Sequence, residues 1–174
     1  SLRISGKLYL EQSNRQRVEI VAKSSTLEDI ITEVKGDELI IRFKNNNVFW
    51  RSFNPGSIEI YVSVPEIEGL SVSGSGDIIA DNRITTRRLS IAVSGSGGIK
   101  IDDLKTDHVK ASVSGSGGLL IGSGGMAEEF EASISGSGSV KAADFEAENM
   151  EVHVSGSGNC SIHAVKTLKA RVAG

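Results

Sequence analysis

The tetrapeptide Ser-Gly-Ser-Gly occurs five times in this chain of 174 residues, at nearly equal intervals. The copies begin at Ser73, Ser94, Ser114, Ser135 and Ser155, so that successive copies lie 21, 20, 21 and 20 residues apart. A flexible Gly/Ser linker has no period, whereas stacked structural units return at a fixed one. The motif therefore predicts a repeat architecture.

Apolar and polar residues alternate on both sides of every copy. The residues immediately before the motif are Val72, Val93, Val113, Ile134 and Val154. The first apolar column after it contains Ile78, Ile99, Leu119, Val140 and Cys160, and the next contains Ala80, Ile101, Ile121, Ala142 and Ile162. Alternation with a period of two is typical of strands with one buried face.

Each period thus holds two or three short strands separated by corners, without a segment of helical periodicity. Stacking equivalent strands about 4.8 Å apart buries each apolar column against its copy in the next coil. We therefore predict an all-β fold, a parallel β-helix with coils of 20 to 21 residues. Strand twist and crossover preference favour the right-handed form.

The glycines of the motif have a structural interpretation. The alternation, carried through the tetrapeptide, points both glycines inward and both serines outward. Either the backbone passes too near the core for a Cβ, or the corner needs a positive φ, and the sequence leaves both readings open. The outward serines are expected to form hydroxyl ladders between coils. The predicted corner glycines are Gly74, Gly76, Gly95, Gly97, Gly115, Gly117, Gly136, Gly138, Gly156 and Gly158.

Residues 1–66 also have strand patterns but lack the regular period. Ser5-Gly6 with its flanks resembles a degenerate copy of the repeat, and the turn at Lys35-Gly36-Asp37 predicts a hairpin. A short helical turn fits residues 27–31. Because a solenoid needs its open end covered, we expect residues 1–66 to cap a β-helix formed by residues 67–174. Residues 172–174 resemble the start of a sixth corner.

Composition excludes several classes of function. The net charge is −3 with both signs scattered, so no basic stripe predicts nucleic-acid binding. No apolar run approaches the roughly 18 residues of a transmembrane span. A single cysteine excludes an intramolecular disulfide, and Cys160 stands in an apolar column, where we expect it to be buried as a small hydrophobe.

Three segments carry a family resemblance. They are Ile4-Ser5-Gly6, the strand at 39–43, and residues 64–78, which read VPEIEGLSVSGSGDI. Together they resemble the family described as putative auto-transporter adhesin, head GIN domain. The resemblance covers nearly the whole chain and implies a β-helical domain of bacterial envelope proteins, exported and often lipid-anchored. It brings no catalytic residues. Because the chain opens at Ser1 inside a strand pattern, we expect a processed precursor with an export signal.

The residues that could support chemistry have simpler explanations. A phosphate loop requires a following helix, whereas strands follow each tetrapeptide. A calcium β-roll needs a regular Asp, whereas Asp77 alone follows a corner. Asp81 and Asp102 both lie eight residues after their first Ser, so they are expected to be neighbours on adjacent coils, as paired carboxylates must be. Without Arg, Lys, Tyr or Trp clustered in those columns, we interpret them as solvated loop acids.

The histidines are not at metal-ligand spacing. His108, His153 and His163 are interpreted as surface residues. The sequence therefore predicts no catalytic residue, no metal and no cofactor.

One aromatic segment allows two interpretations. Phe49, Trp50, Arg51 and Phe53 lie in a polar stretch between strand patterns. They either cover the apolar end of the first coil or contact a cell-surface or glycan ligand as interface anchors. The flat serine face allows close docking between copies, hence a homo-oligomer.

Our leading hypothesis is a non-enzymatic, exported surface or periplasmic scaffold with an adhesive role. The alternatives are a carbohydrate-active β-helix enzyme and a self-assembling structural protein.

Overall fold

The computed structural model describes residues 1–44 and 56–174. Its strands form a β-solenoid of about five turns with coils of about 20 residues, which confirms the predicted all-β repeat fold. The elements are β1 (Leu2–Arg3), β2 (Lys7–Gln12), β3 (Arg17–Val21), α1 (Ser24–Leu27), β4 (Ile30–Lys35), β5 (Glu38–Phe43), β6 (Glu59–Val64), β7 (Gly69–Gly74), β8 (Asp77–Ala80), β9 (Ile84–Thr85), β10 (Arg88–Gly95), β11 (Gly98–Lys105), β12 (His108–Gly115), β13 (Gly118–Gly124), β14 (Ala127–Gly136), β15 (Ser139–Ser155) and β16 (Asn159–Ala173).

The strands build two faces joined at the tetrapeptide corners. The front face contains β3, β6, β2, β8, β11 and β13 in this order, and the back face contains β4, β5, β1, β7, β10, β12 and β14. Strands β15 and β16 pass through both faces and pair with each other in parallel. The register of β10 with β12 aligns Val93 with Val113 and Gly95 with Gly115. Equivalent residues of successive repeats therefore lie above one another, as the sequence columns predicted.

The apolar columns fill the space between the two faces. Val93 and Val113 are buried with their neighbours in one continuous core. Phe130 and Phe145 are fully buried there, with ring centroids 6.1 Å apart. Each coil covers the apolar residues of the previous one, so the free energy of burial, about 25 cal/mol per Å² of apolar surface, accumulates along the stack.

The first residues of the chain form a coil of their own. β1 pairs in parallel with β5 and β7, and β2 pairs in parallel with β6 and β8. The coil at residues 1–12 therefore lies inside the stack, between the first repeat and the strands β5 and β6. Antiparallel β4 and β3 then cover β5 and β6.

The N-terminal elements largely follow their sequence signals. β4 and β5 form the predicted hairpin, in which Lys35 pairs with Glu38 and Gly36 adopts a φ of 60°. The helical turn lies earlier than predicted, at Ser24–Leu27, because the Lys23 carbonyl accepts the N–H groups of Thr26 and Leu27 and closes the turn there.

The last coil differs from the others because β16 pairs only with β15 in the described part of the chain. Its apolar residues Val165, Leu168 and Val172 are 49%, 55% and 73% exposed. Cys160 lies above Val140 and packs against the core as a small hydrophobe, but it is only half-buried, so the prediction of burial holds in part. The alignment of its column was right, and the reduced burial follows from its place in this last coil.

Candidate binding surface

The two glycines of each corner have different structural roles. The first glycine has φ between 102° and 116° in all five copies, and the second is buried in the four copies before the last. The prediction that both face inward was therefore wrong for the first one, which lies on the outer side of the bend. Both physical readings hold: the first glycine has a positive φ and, at Gly115, also closely approaches the backbone of the preceding corner, and the second glycine is closely packed against the core. A Cβ on Gly138 would lie 2.5 Å from Val113 Cγ1.

Backbone hydrogen bonds connect each corner to the next. The carbonyl oxygen of Gly95 accepts the N–H groups of Ser116 and Gly117, both at 2.9 Å. Gly74 accepts Ser96 and Gly97 in the same way. The side chains of the tetrapeptide serines make no hydrogen bond among residues 1–44 and 56–174, so the predicted hydroxyl ladders are absent there. Exposed hydroxyls are satisfied by water, whereas the buried amides require protein acceptors.

A row of outward side chains crosses the front face near its N-terminal end. Glu19 of β3 lies opposite Tyr61 of β6, which lies opposite Tyr9 of β2, and Tyr9 lies opposite Ile79 of β8. The Tyr9 and Tyr61 rings stack with centroids 5.2 Å apart and planes inclined by 16°. Tyr61 is 41% exposed, so the pair forms an aromatic surface in contact with water.

The hydroxyl of Tyr61 donates a 2.9 Å hydrogen bond to Glu59 Oε2. This bond raises the pKa of the phenol, since the proton is shared with a carboxylate. The Tyr61 hydroxyl therefore remains a neutral, oriented donor at neutral pH.

An open groove of about 460 Å³ lies beside the stacked rings. We refer to it as the tyrosine groove, bordered by Tyr9, Glu11, Arg17, Tyr61, Asp81 and Asn82. Arg17 pairs with Glu19 at one end. The groove thus combines aromatic surface with carboxylate, guanidinium and amide groups.

Asp81 and Asp102 are brought together by a lysine. Lys100 Nζ lies 3.5 Å from Asp81 Oδ1 and 2.9 Å from Asp102 Oδ1, so both carboxylates of adjacent coils share one cation. Those columns contain no cluster of basic or aromatic residues, as the sequence indicated, and the single Lys100 reaches both carboxylates from a neighbouring column. The hydrogen bond to Asp102 raises the pKa of Lys100, since it favours the ammonium form. All three side chains are more than 40% exposed, as expected of a surface ion cluster.

The other candidate residues do not form a second site. Among residues 1–44 and 56–174, no group of His, Cys, Asp and Glu has the arrangement of a metal site. His108 and His153 each lie near a glutamate on the outer surface of the back face. The aromatic segment with Phe49, Trp50, Arg51 and Phe53 lies outside the described residues, so its role remains a prediction.

Comparison with known proteins decides the family. Residues 2–174 match the family described as putative auto-transporter adhesin, head GIN domain. The chain belongs to this family. A search of the curated proteins finds no match. The described part of this head GIN domain contains no helix with the length and apolar character needed to cross a bilayer.

Solved structures share the fold of this head GIN domain. A putative adhesin from Bacteroides fragilis NCTC 9343 superimposes with a TM-score of 0.85 at 23% identity, covering 99% of this chain and 79% of that one. A putative lipid binding protein from Parabacteroides distasonis ATCC 8503 gives 0.75 at 20% identity, with 99% and 87% covered. A putative adhesin from Parabacteroides merdae ATCC 43184 gives 0.64 at 17% identity, with 99% and 88% covered. At these identities the likeness shows the fold alone.

Sequence reasoning missed the tyrosine groove. Alternation along β2 and β6 points Tyr9 and Tyr61 outward, which was the available signal. The two tyrosines lie 52 positions apart in the sequence, so their stacking depends on a strand register that the sequence pattern does not contain.

Proposed function

We propose that this head GIN domain is an exported, non-enzymatic domain of the bacterial cell envelope that presents rigid surfaces for adhesion. The observation that carries the proposal is the family match across residues 2–174. Two of the solved structures above are named putative adhesins, which supports the same role by analogy. We also propose that residues 1–66 cap the solenoid of residues 67–174, with the coil of residues 1–12 as the layer of this cap that contacts the first repeat.

The architecture supports a presenting role. Apart from the antiparallel strands β3 and β4 at the N-terminal end, both faces are parallel sheets in which successive strands are hydrogen-bonded from coil to coil. The outward positions of such a sheet keep fixed spacings of about 4.8 Å between strands. A ligand that contacts several coils therefore meets side chains whose relative positions are already set, which reduces the entropy cost of binding.

The enzymatic alternative has less support. Its best candidate was the pair Asp81 and Asp102, and Lys100 lies between them as a salt-bridge partner. In glycoside hydrolases the two carboxyl groups flank the scissile bond and act as acid and base or nucleophile. An exposed lysine-bridged pair is instead typical of a solvated protein surface.

Adhesion can be measured with the purified domain on beads. Beads coated with the protein should bind to intact epithelial cells or to bacterial cells more than beads coated with an unrelated β-solenoid of similar charge. Soluble domain should compete with the coated beads. Equal retention of both bead types on every surface would contradict the proposal.

Export is tested separately on the unprocessed gene product. We expect a signal sequence before Ser1 and recovery of the mature chain from the envelope fraction after expression in the native host. Recovery of the full-length product in the cytoplasmic fraction alone would contradict an envelope location.

A further inference from the structure

We infer that the tyrosine groove is a binding site for an uncharged saccharide. This inference rests on the proposed adhesive function and assigns it to a defined place at the N-terminal end of the front face. The groove volume of about 460 Å³ lies within the about 300–1,000 Å³ typical of small-molecule sites.

The aromatic pair supplies the apolar part of the site. Tyr9 and Tyr61 line the groove and stack on each other, so each ring holds the other in place. Ile79, next in the row, extends this apolar surface by one strand. Sugar rings have apolar C–H faces that leave water favourably when they contact aromatic or aliphatic side chains, and Tyr combines such a surface with a polar tip. The pre-ordered pair therefore offers contact area at a low entropy cost.

The polar border supplies hydrogen bonds of both kinds. Asn82 carries an amide with donor and acceptor atoms, Glu11 and Asp81 carry acceptors, and Arg17 carries donors. Sugar hydroxyls donate and accept at the same time, so they match a border that mixes both groups. Specificity in small-molecule sites comes from a few such polar groups around an apolar surface.

Charge pairing favours a neutral ligand. Arg17 is paired with Glu19, and Asp81 is within 3.5 Å of Lys100 Nζ. Each of these charges already has a counter-charge on the protein, so a charged ligand would have to compete with an existing ion pair. A paired carboxylate still has free lone pairs for hydroxyl donors. Of the two border carboxylates, Glu11 makes no ion pair among the described residues, so an organic cation can bind through this one charge and is the comparison ligand in the test.

The matching groove on the back face lacks this combination. It is bordered by Glu68, Arg88, His108, Lys110, Glu129 and Glu131. These side chains are charged or titratable, and the groove has no aromatic ring other than the imidazole of His108. It serves as an internal control, because a saccharide that binds to any exposed sheet surface would perturb both grooves.

The test is a titration of the ¹⁵N-labelled chain with defined probes, followed by NMR. The probes are N-acetylglucosamine, galactose, lactose and chitobiose, with choline as the cationic comparison. We expect at least one saccharide to shift the signals of Tyr9, Tyr61 and the Asn82 side-chain amide, with a dissociation constant of about 1 mM or lower. His108 and Lys110 should remain unshifted.

Variants then locate the site. Tyr61→Ala should weaken saccharide binding by about tenfold or more, and Asn82→Ala, which removes exposed polar contacts without touching the core, by about two- to tenfold. Leu120→Ala is the matched control, since Leu120 lies in the same outward row and is 39% exposed. It should leave the affinity unchanged.

The possible results separate this inference from the proposed function. The saccharide site would be overturned by any one of three results. These are no shifted signals with any of the four sugars at about 10 mM, shifted signals with choline instead of a sugar, and equal shifts in both grooves. Beads coated with the Tyr61→Ala or the Asn82→Ala variant are compared with beads coated with the unmodified domain. If they adhere to cells equally well, the domain is still an adhesin but the tyrosine groove is not its adhesive site. Loss of adhesion in those variants, together with retained binding by Leu120→Ala, supports both.

Discussion

A Cβ atom on Gly115 would lie 2.6 Å from the carbonyl oxygen of Gly95 in the preceding coil. The same oxygen accepts two N–H groups from the corner that contains Gly115, at Ser116 and Gly117. The space that a side chain would need is therefore already occupied by the backbone contact that joins the coils. Because Gly115 also has a φ of 102°, conformation and packing both require glycine there.

We predict that Gly115→Val strongly destabilises the solenoid. Overpacking should cost about 1–3 kcal/mol, and the positive φ should add about 1–3 kcal/mol. Because Gly115 lies in the middle of the stack, both adjacent coils should lose protection, as nearest-neighbour coupling in solenoids requires. Chemical denaturation and amide hydrogen exchange measure the two effects.

Two substitutions act as controls for this prediction. At Gly69 the nearest atom to an added Cβ is the Ser90 carbonyl oxygen, at 3.8 Å, so Gly69→Ala should change stability by no more than about 0.5 kcal/mol. Ser116→Ala removes an exposed hydroxyl and should cost less than about 1 kcal/mol. A Gly115→Val protein as stable as these two would show that the corner is not a packed contact.

The N-terminal hairpin should lose an ion pair in acid. Arg42 Nε donates a 2.8 Å hydrogen bond to Glu33 Oε1, which lowers the pKa of Glu33 below its usual value of 4.5. A carboxylate with a depressed folded-state pKa stabilises the protein above its unfolded-state pKa, and this contribution disappears as the pH falls through the folded value. Glu33→Gln should therefore lower the melting temperature at about pH 7 and change the melting temperature little at about pH 2.5.

Glu28→Gln is the matched control for that experiment. Glu28 makes no side-chain ion pair among the described residues, so removing its charge should change the melting temperature little at either pH. If the effect of Glu33→Gln were the same at both pH values, the contribution of Glu33 would not be electrostatic.

The thiol of Cys160 should react at an intermediate rate. Burial raises its pKa, which lowers the fraction of reactive thiolate at neutral pH. We expect slower reaction with a disulfide reagent in the native protein than in denaturant, with the two rates converging as the pH rises above the raised pKa. Identical native and denatured rates at neutral pH would mean that the column alignment of the last coil is wrong.

Catalysis on polysaccharides should be absent. Incubation with a panel of envelope and host polysaccharides is expected to release neither reducing ends nor unsaturated products, because Lys100 holds Asp81 and Asp102 in a surface ion cluster. Turnover that disappeared in Asp102→Asn would establish the enzyme alternative instead. Asp144→Asn, which changes an exposed acid elsewhere, is the control for a non-specific effect of charge.

The repeat itself was predictable from the sequence because its signals are local. The period of 20 to 21 residues and the alternation around Val93 and Val113 set the coil length and the inward columns, and stacking equal coils leaves one register. The Ser-Gly-Ser-Gly motif likewise indicated where the chain must bend. The hairpin at Gly36 was predictable for the same reason, since a turn of two residues is encoded within a few positions.

The tertiary structure alone decided the features that depend on contacts between distant segments. Alternation could not assign one glycine to a positive φ and the next to the core, because that difference arises from how Gly115 meets Gly95 in another coil. Nor could it place the coil of residues 1–12 inside the stack, where Tyr9 meets Tyr61. Such pairings are chosen by which apolar surfaces cover each other after collapse, a property of the whole chain rather than of any local pattern.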